Sequence, residues 1–260
     1  MQITLLGTGT SVGVPMIGCD CQTCQSSDPR DVRLRTACHI QVGNLSIVID
    51  TGPDFREQML RAKVRRIDSV LWTHHHYDHV MGLDDLRPYF FDCSAPIACF
   101  AHRNSISTLK RIFPYIWGSH KIYPGTLELS IAEKSFEIKS RYGDSDHIHV
   151  TPIEVFHGRM PLNGYRLGDF AYLTDVSHIP EKEYAKLKHL DLLILDALRP
   201  MKHPRHFSIK EAVSVAHRIG AQQTIFTHMA HQVLHAREDA RLPKTMHLGY
   251  DGMVIESPKT

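Results

Sequence analysis

The 260-residue chain carries 30 Lys and Arg against 28 Asp and Glu, with 42% hydrophobic and 22% charged residues, the balance of an ordinary folded protein rather than a disordered or membrane-embedded one. A formal charge of +2 excludes a nucleic-acid surface built by bulk charge, and no apolar run approaches the span of a bilayer. The opening residues lack a basic stretch followed by an apolar core, so the expected compartment is the cytoplasm.

Apolar runs bounded by Gly, Pro or polar turns predict strands at Ile3 to Leu6, His39 to Val42, Leu45 to Ile49, Ser69 to Trp72 and Ile97 to Phe100. Later runs at His149 to Phe156, Gly164 to Leu167, Phe170 to Leu173, Leu192 to Leu195, Thr224 to Phe226 and Met253 to Ile255 predict six more. Gly43-Asn44 and Gly168-Asp169 have the composition of hairpin turns. Helical patterns cover Phe55 to Ala62, Leu83 to Phe91, Arg103 to Ile112, Glu181 to Leu187 and Ser208 to Ile219, the last opening on a capping-box spacing of Ser208 and Glu211. No repeat or long linker divides the chain, and one α/β domain over residues 1–260, with two sheets and outer helices, is expected.

The 19 histidines matter by position. Thr73-His74-His75-His76-Tyr77-Asp78-His79 follows the run Ser69 to Trp72 directly, at a strand end. His74 and His76, two apart, would leave a helix on different faces, so they reach one ion only from a loop. Asp78 and His79 can then turn toward a second ion. Mixed imidazole and carboxylate ligands suit Zn, Mn or Fe. Three further apolar runs end at His157, Asp175 and His228, and ligand sites gather at strand ends in α/β sheets. Asp175 has two oxygens with which to bridge both ions. Cys19, Cys21 and Cys24, near residues 18–25, wrap a soft tetrahedral ion at CxCxxC spacing, and a closed zinc site wants a fourth ligand. His231, three residues beyond His228, is the choice. Cys38, Cys93 and Cys99 read as small buried apolar residues, and no disulfide is expected.

HxHxDH followed by His157, Asp175 and His228 resembles the signature of the metallo-β-lactamase superfamily across nearly the whole chain. The resemblance implies an αββα sandwich, with His74, His76 and His157 on one ion, Asp78, His79 and His228 on the other, and Asp175 between them. Asp50, in Ile49-Asp50-Thr51-Gly52, matches an aspartate that supports the ligand loop. The opening Gly7-Thr8-Gly9-Thr10-Ser11, the CxCxxC, Asp50-Thr51-Gly52-Pro53-Asp54-Phe55-Arg56 and Phe226-Thr227-His228-Met229-Ala230-His231 resemble the PhnP-type phosphodiesterases, which open cyclic phosphates of ribose and carry a Cys3His zinc loop.

That resemblance implies a dinuclear phosphodiesterase with one further structural zinc, acting on a small phosphodiester such as a ribose 1,2-cyclic phosphate. It implies His206, in the His-Phe-Ser segment, as the proton donor to the departing alkoxide, with Asp78 orienting the attacking water. Lys202 and Arg205 are candidates to hold phosphate. A homodimer is the expected assembly, with neither a membrane nor nucleic acid as a partner. Competing readings are a β-lactamase or thioesterase, a tRNA 3′-processing nuclease, which would add a basic glycine-rich arm, and a non-catalytic accessory protein of cofactor biosynthesis.

Overall fold

The computed structural model describes residues 1–91, 93–118 and 125–257. One mixed sheet holds β1 (Gln2–Gly7), β2 (Ala37–Val42), β3 (Leu45–Ile49), β4 (Ser69–Trp72), β5 (Ile97–Ala101) and β6 (Leu127–Ile131) in chain order. The second holds β7 (Phe136–Lys139), β8 (His147–His157), β9 (Met160–Leu167), β10 (Phe170–Leu173), β11 (Leu192–Asp196), β12 (Gln223–Thr227) and β13 (Met246–Leu248). The late β14 (Val254–Glu256) returns to the first sheet beside β1, with Gln2 opposite Glu256. Both predicted hairpin turns stand, at β2–β3 and β9–β10, with Gly43 and Gly168 each at φ 57°.

The near-continuous apolar strands follow from burial on both faces. In β11, Leu192 and Ile194 join the layer between the sheets with Ile3, Leu5, Ile47 and Tyr172, while Leu193 and Leu195 pack outward against Ala212 and Ala216. Those alanines belong to α5 (Ile209–Ile219), where Ser208 caps the Glu211 N–H and Glu211 accepts from the Ser208 N–H. The first sheet is covered in the same way by α1 (Phe55–Ala62), α3 (Arg103–Ile112) and the short α4 (Pro114–Trp117), through Phe55, Met59, Leu109 and Ile116. This is the αββα sandwich. No helix among the described residues is long and apolar enough to cross a membrane.

The structure differs from expectation at the edges. β6 and β7 each mix polar with apolar residues (LELSI, FEIK) and lie at sheet edges with several residues exposed, so they lack the continuous apolar signal. β13 has only three residues. Leu83–Phe90 and Glu181–Leu187 are 3-10 rather than α-helical; in the first, Pro88 lies inside the segment and cannot donate an i→i−4 bond.

His39 on β2 illustrates the energetics of the layer. Its Nε2 lies 2.8 Å from Ser46 Oγ, whose proton goes to the Arg66 carbonyl, so the imidazole donates. Burial pushes its pKa down to about 4. Because the folded value lies below the unfolded one, about 6.5, this contribution is complete above that pH and lost as pH falls toward 4. A lowering of this size corresponds to roughly 3 kcal/mol. Denaturant unfolding between pH 7 and 4 should therefore show a shallower acid-side loss for His39→Gln than for the parent protein; parallel curves would refute this.

Candidate metal centre

Six strand ends converge on one edge of the sandwich. Asp50 follows β3, residues 73–79 follow β4, His157 and Asp196 close β8 and β11, Asp175 lies two residues beyond β10, and His228 follows β12. Asp50, Asp175 and His228 have φ of 65°, 58° and 61°. A left-handed conformation turns the chain sharply over the sheet edge at a cost of order 1–3 kcal/mol for a non-glycine residue, and such strain gathers at functional sites. Asp and His are among the residues that tolerate it best.

The ligand loop is fixed from below. Asp50, fully buried, accepts from the Thr73 N–H (2.8 Å), the Thr73 hydroxyl (2.8 Å) and His79 Nδ1 (2.7 Å). This turns His79 Nε2 toward the centre. The short helix α2 (Tyr77–Val80) carries Asp78 and His79. It packs so closely on the 50–52 turn that a Cβ at Gly52 would stand 2.1 Å from the Asp78 carbonyl oxygen.

The structure brings together all seven residues expected around the metals. Asp175 lies at the middle. Its Oδ1 is 3.1 Å from His228 Nε2 and 3.3 Å from His79 Nε2, while its Oδ2 is 3.9 Å from His74 Nε2 and 4.0 Å from His157 Nδ1. Asp78 Oδ2 stands 3.2 Å from His79 Nε2, and His76 Nδ1 is 2.9 Å from His74 Nε2. All are buried except the half-buried His76. His79 Nε2, His157 Nδ1 and His228 Nε2 are buried without a hydrogen-bond partner. Orphaned buried nitrogens are costly, and their convergence on carboxylate oxygens is what a divalent cation would satisfy. The donor set fits metal ions.

The electrostatics agree. Burial opposes charge on His79 and His228, but the carboxylates of Asp78, Asp175 and Asp50 hold His79 well above the usual histidine value, and those of Asp175, Asp196 and Asp78 lift His228 to about 9. Asp175 and Asp78 are held far below the usual carboxylate range, against burial, by those same imidazoles. On the other side, burial and neighbouring imidazoles outweigh the pull of Asp175, keeping His74 well below its ordinary value and His157 down at about 4. Neutral imidazoles face one carboxylate oxygen, and groups drawing positive charge surround the other.

His206 is buried beside this cluster, its ring 4.6 Å from that of His157 and 4.8 Å from that of His228. Its Nδ1 meets Asp196 Oδ2 at 3.1 Å. Asp196 was not singled out from sequence. It is fully buried, accepts also from the Val176 N–H at 3.1 Å, and puts Oδ1 3.6 Å from His228 Nδ1. The apolar run Leu192 to Leu195 ends on it, so the strand-end rule that found Asp175 would have found it too. Lys202, in contrast, points to Glu211 at 3.8 Å and is largely exposed.

A second cluster joins Cys19, Cys21, Cys24 and His231, whose four ligand-type atoms lie within 4.8 Å of one another. His231 Nδ1 is 3.1 Å from Cys19 Sγ and 3.4 Å from Cys21 Sγ. The two segments meet because Thr10 N–H donates to the Met229 carbonyl and Met229 N–H to that of Thr8. A backbone hydrogen bond at Cys24, with His231 and Cys19 nearby, brings the Cys21 thiol down to about 6, while burial raises Cys24 to about 11. All six cysteines are free; Cys38 and Cys99 are buried, and Cys93 is only partly so, a departure from the expected burial.

Residues 46–229 match the family model described as a β-lactamase superfamily domain. A crystal structure of a diphosphatase from the PhnP family is similar to the chain with a TM-score of 0.90 and 39% identity, over 99% of this chain and 98% of that one. The chain belongs to the metallo-β-lactamase superfamily and is of PhnP type. As a member of this superfamily it is a hydrolase-fold protein with candidate metal sites. It is also 38% identical over 256 residues, 97% of its own length, to an octanoyltransferase of Porphyromonas gingivalis, of which the match covers 51%. The zinc-bound PqqB of Methylobacterium extorquens shares the fold, with a TM-score of 0.78 at 15% identity over 99% of this chain and all of that one. The chain spans about half the length of the curated relatives it matches.

Proposed function

We propose that this superfamily member is a dinuclear metal-dependent phosphodiesterase acting on a small phosphodiester, with a cyclic phosphate such as a ribose 1,2-cyclic phosphate as its first candidate substrate. The observation that carries the reading is the placement of unpartnered imidazole nitrogens around both oxygens of Asp175, next to a histidine backed by a buried carboxylate. His74, His76 and His157 would hold one ion, Asp78, His79 and His228 the other, and Asp175 both; zinc, manganese or iron suits these donors. When bound, such ions supply Lewis acidity at the phosphoryl oxygens and activate water near neutral pH.

The chain's own part is to orient and to move protons. Asp196 fixes His206 through Nδ1, which leaves Nε2 to give its proton to the departing alkoxide oxygen. Asp78 accepts a hydrogen bond from the attacking water and orients it. The name of the similar PhnP-family structure, a diphosphatase, supports phosphorus rather than carbonyl carbon as the atom attacked. The octanoyltransferase is a protein about twice as long as this chain. The partner is a small molecule, the compartment the cytoplasm, and the assembly a homodimer.

Metal-loaded protein should hydrolyse bis(p-nitrophenyl) phosphate in preference to a phosphomonoester, nitrocefin or a thioester. Preference for either carbonyl substrate would overturn the reading, and inactivity on all four at full metal occupancy would favour an accessory protein.

The cysteine cluster is proposed to hold a structural zinc, closed by four protein ligands. Metal analysis should then find three ions per chain, and Cys21→Ser should lose one zinc together with thermal stability. A full complement in that variant would remove the assignment.

A further inference from the structure

The outward face of the first sheet changes character along its strands. Leu6, Ala37 and Val48 pack with Phe55 and Met59 of α1, as a helix-covered face requires. Because side chains alternate along each strand, the same face continues past the end of α1 as Gln2 and Thr4 of β1, His39 and Gln41 of β2, and Ser46 of β3. These five form the floor of a cavity of about 290 Å³, and the turn at residues 62–66 forms its wall. Ser46 is near the start of β3 and Asp50 follows its other end, so the cavity lies roughly 13 Å of strand away from the metal centre.

Lys63, Arg65 and Arg66 line the cavity, and no carboxylate does. Arg66 is paired with Asp68 and Asp144, whereas neither Lys63 nor Arg65 has an ion pair among the described residues. Thr4, His39 and Ser46 are buried. The His39 Nε2 proton goes to Ser46 Oγ, so the neutral ring keeps a lone pair on Nδ1. Neither this nitrogen nor the Thr4 hydroxyl has a hydrogen-bond partner among the described residues. An acceptor deprived of water is unfavourable without a donor, and a ligand that fills the cavity must supply one.

The cations call for an anion, and the Nδ1 lone pair calls for a hydrogen-bond donor on the same molecule. Inorganic phosphate meets both demands near neutral pH, because each of its ionisation states there keeps a P–O–H. Sulfate has no proton, and a phosphomonoester, whose second pKa is about 6, has mostly lost its own. We infer that this cavity is an inorganic phosphate site, in which Lys63 and Arg65 meet the charge, the P–O–H donates to His39 Nδ1 and the Thr4 hydroxyl donates to a phosphoryl oxygen. The site is separate from the metal centre and does not depend on the hydrolase reading.

Hydrogen exchange read by mass spectrometry, on zinc-loaded protein near neutral pH and at constant ionic strength, locates the ligand. Millimolar phosphate should protect segments 2–6, 39–46 and 62–66. Sulfate and methyl phosphate should need at least about tenfold higher concentrations for the same protection. Lys63→Gln combined with Arg65→Gln should abolish it and leave the fold intact, since both side chains are exposed. His39→Leu should bring phosphate and sulfate to equal strength; if that variant does not fold, the three anions on the parent protein decide alone. The site would be overturned by an absence of protection, by equal protection from sulfate, or by protection that survives the double variant. Protection confined to residues 73–79, where phosphate would sit on the metals, would overturn it as well.

Discussion

Asp175→Ala is expected to abolish turnover and to weaken both catalytic ions together. Its two oxygens face different groups, Oδ1 toward His79 and His228, and Oδ2 toward His74 and His157, so one side chain serves both halves of the centre. Loss of several kcal/mol of transition-state stabilisation corresponds to a fall in rate on the order of 10³ or more. Metal analysis after dialysis against a weak chelator should find both ions depleted relative to the parent protein. Depletion of one ion alone would show that Asp175 is a terminal ligand. His157→Ala supplies the contrast: it faces only the Oδ2 side and should weaken mainly the ion shared with His74 and His76.

His206→Ala is expected to separate leaving-group chemistry from metal binding. A positioned proton donor contributes on the order of 10²–10⁴, and that loss should appear in full with an alkyl leaving group. A p-nitrophenyl ester, whose anion leaves without a proton, should suffer far less. Metal content should hold, because the seven proposed ligands do not include His206. Loss of metal would instead make His206 a ligand, which its place within 4.8 Å of ligand-type atoms of His157 and Asp175 makes a meaningful alternative. An equal rate loss on both ester classes at full metal occupancy would assign it to transition-state electrostatics. Asp196→Asn should show the same leaving-group dependence more weakly, since it alters the Nδ1 partner of His206 and leaves the donor nitrogen present.

β3, β4, β10 and β11 were legible because each is buried on both faces and so reads as a largely apolar run followed closely by Asp or His; β8, which ends in His157, is buried mainly on alternate residues. The edge strands β6 and β7 were not, since exposure lets their polar residues alternate with apolar ones. Cys19, Cys21 and Cys24 declared themselves by spacing, and His231 by its distance along the chain from His228.

The sequence by itself determined which residue types stand at the strand ends and in what order. Only the tertiary structure decided which of them meet. Asp196 ends an apolar run as Asp175 does, yet its role as the partner of His206 depends on a 3.1 Å contact between a strand and a later loop. Arg159 and Arg205, 46 positions apart, line one cavity with His76 and His157. Periodicity records the local environment of each residue, whereas a site is made by contacts between segments distant in the chain, and those are fixed only when the two sheets pack.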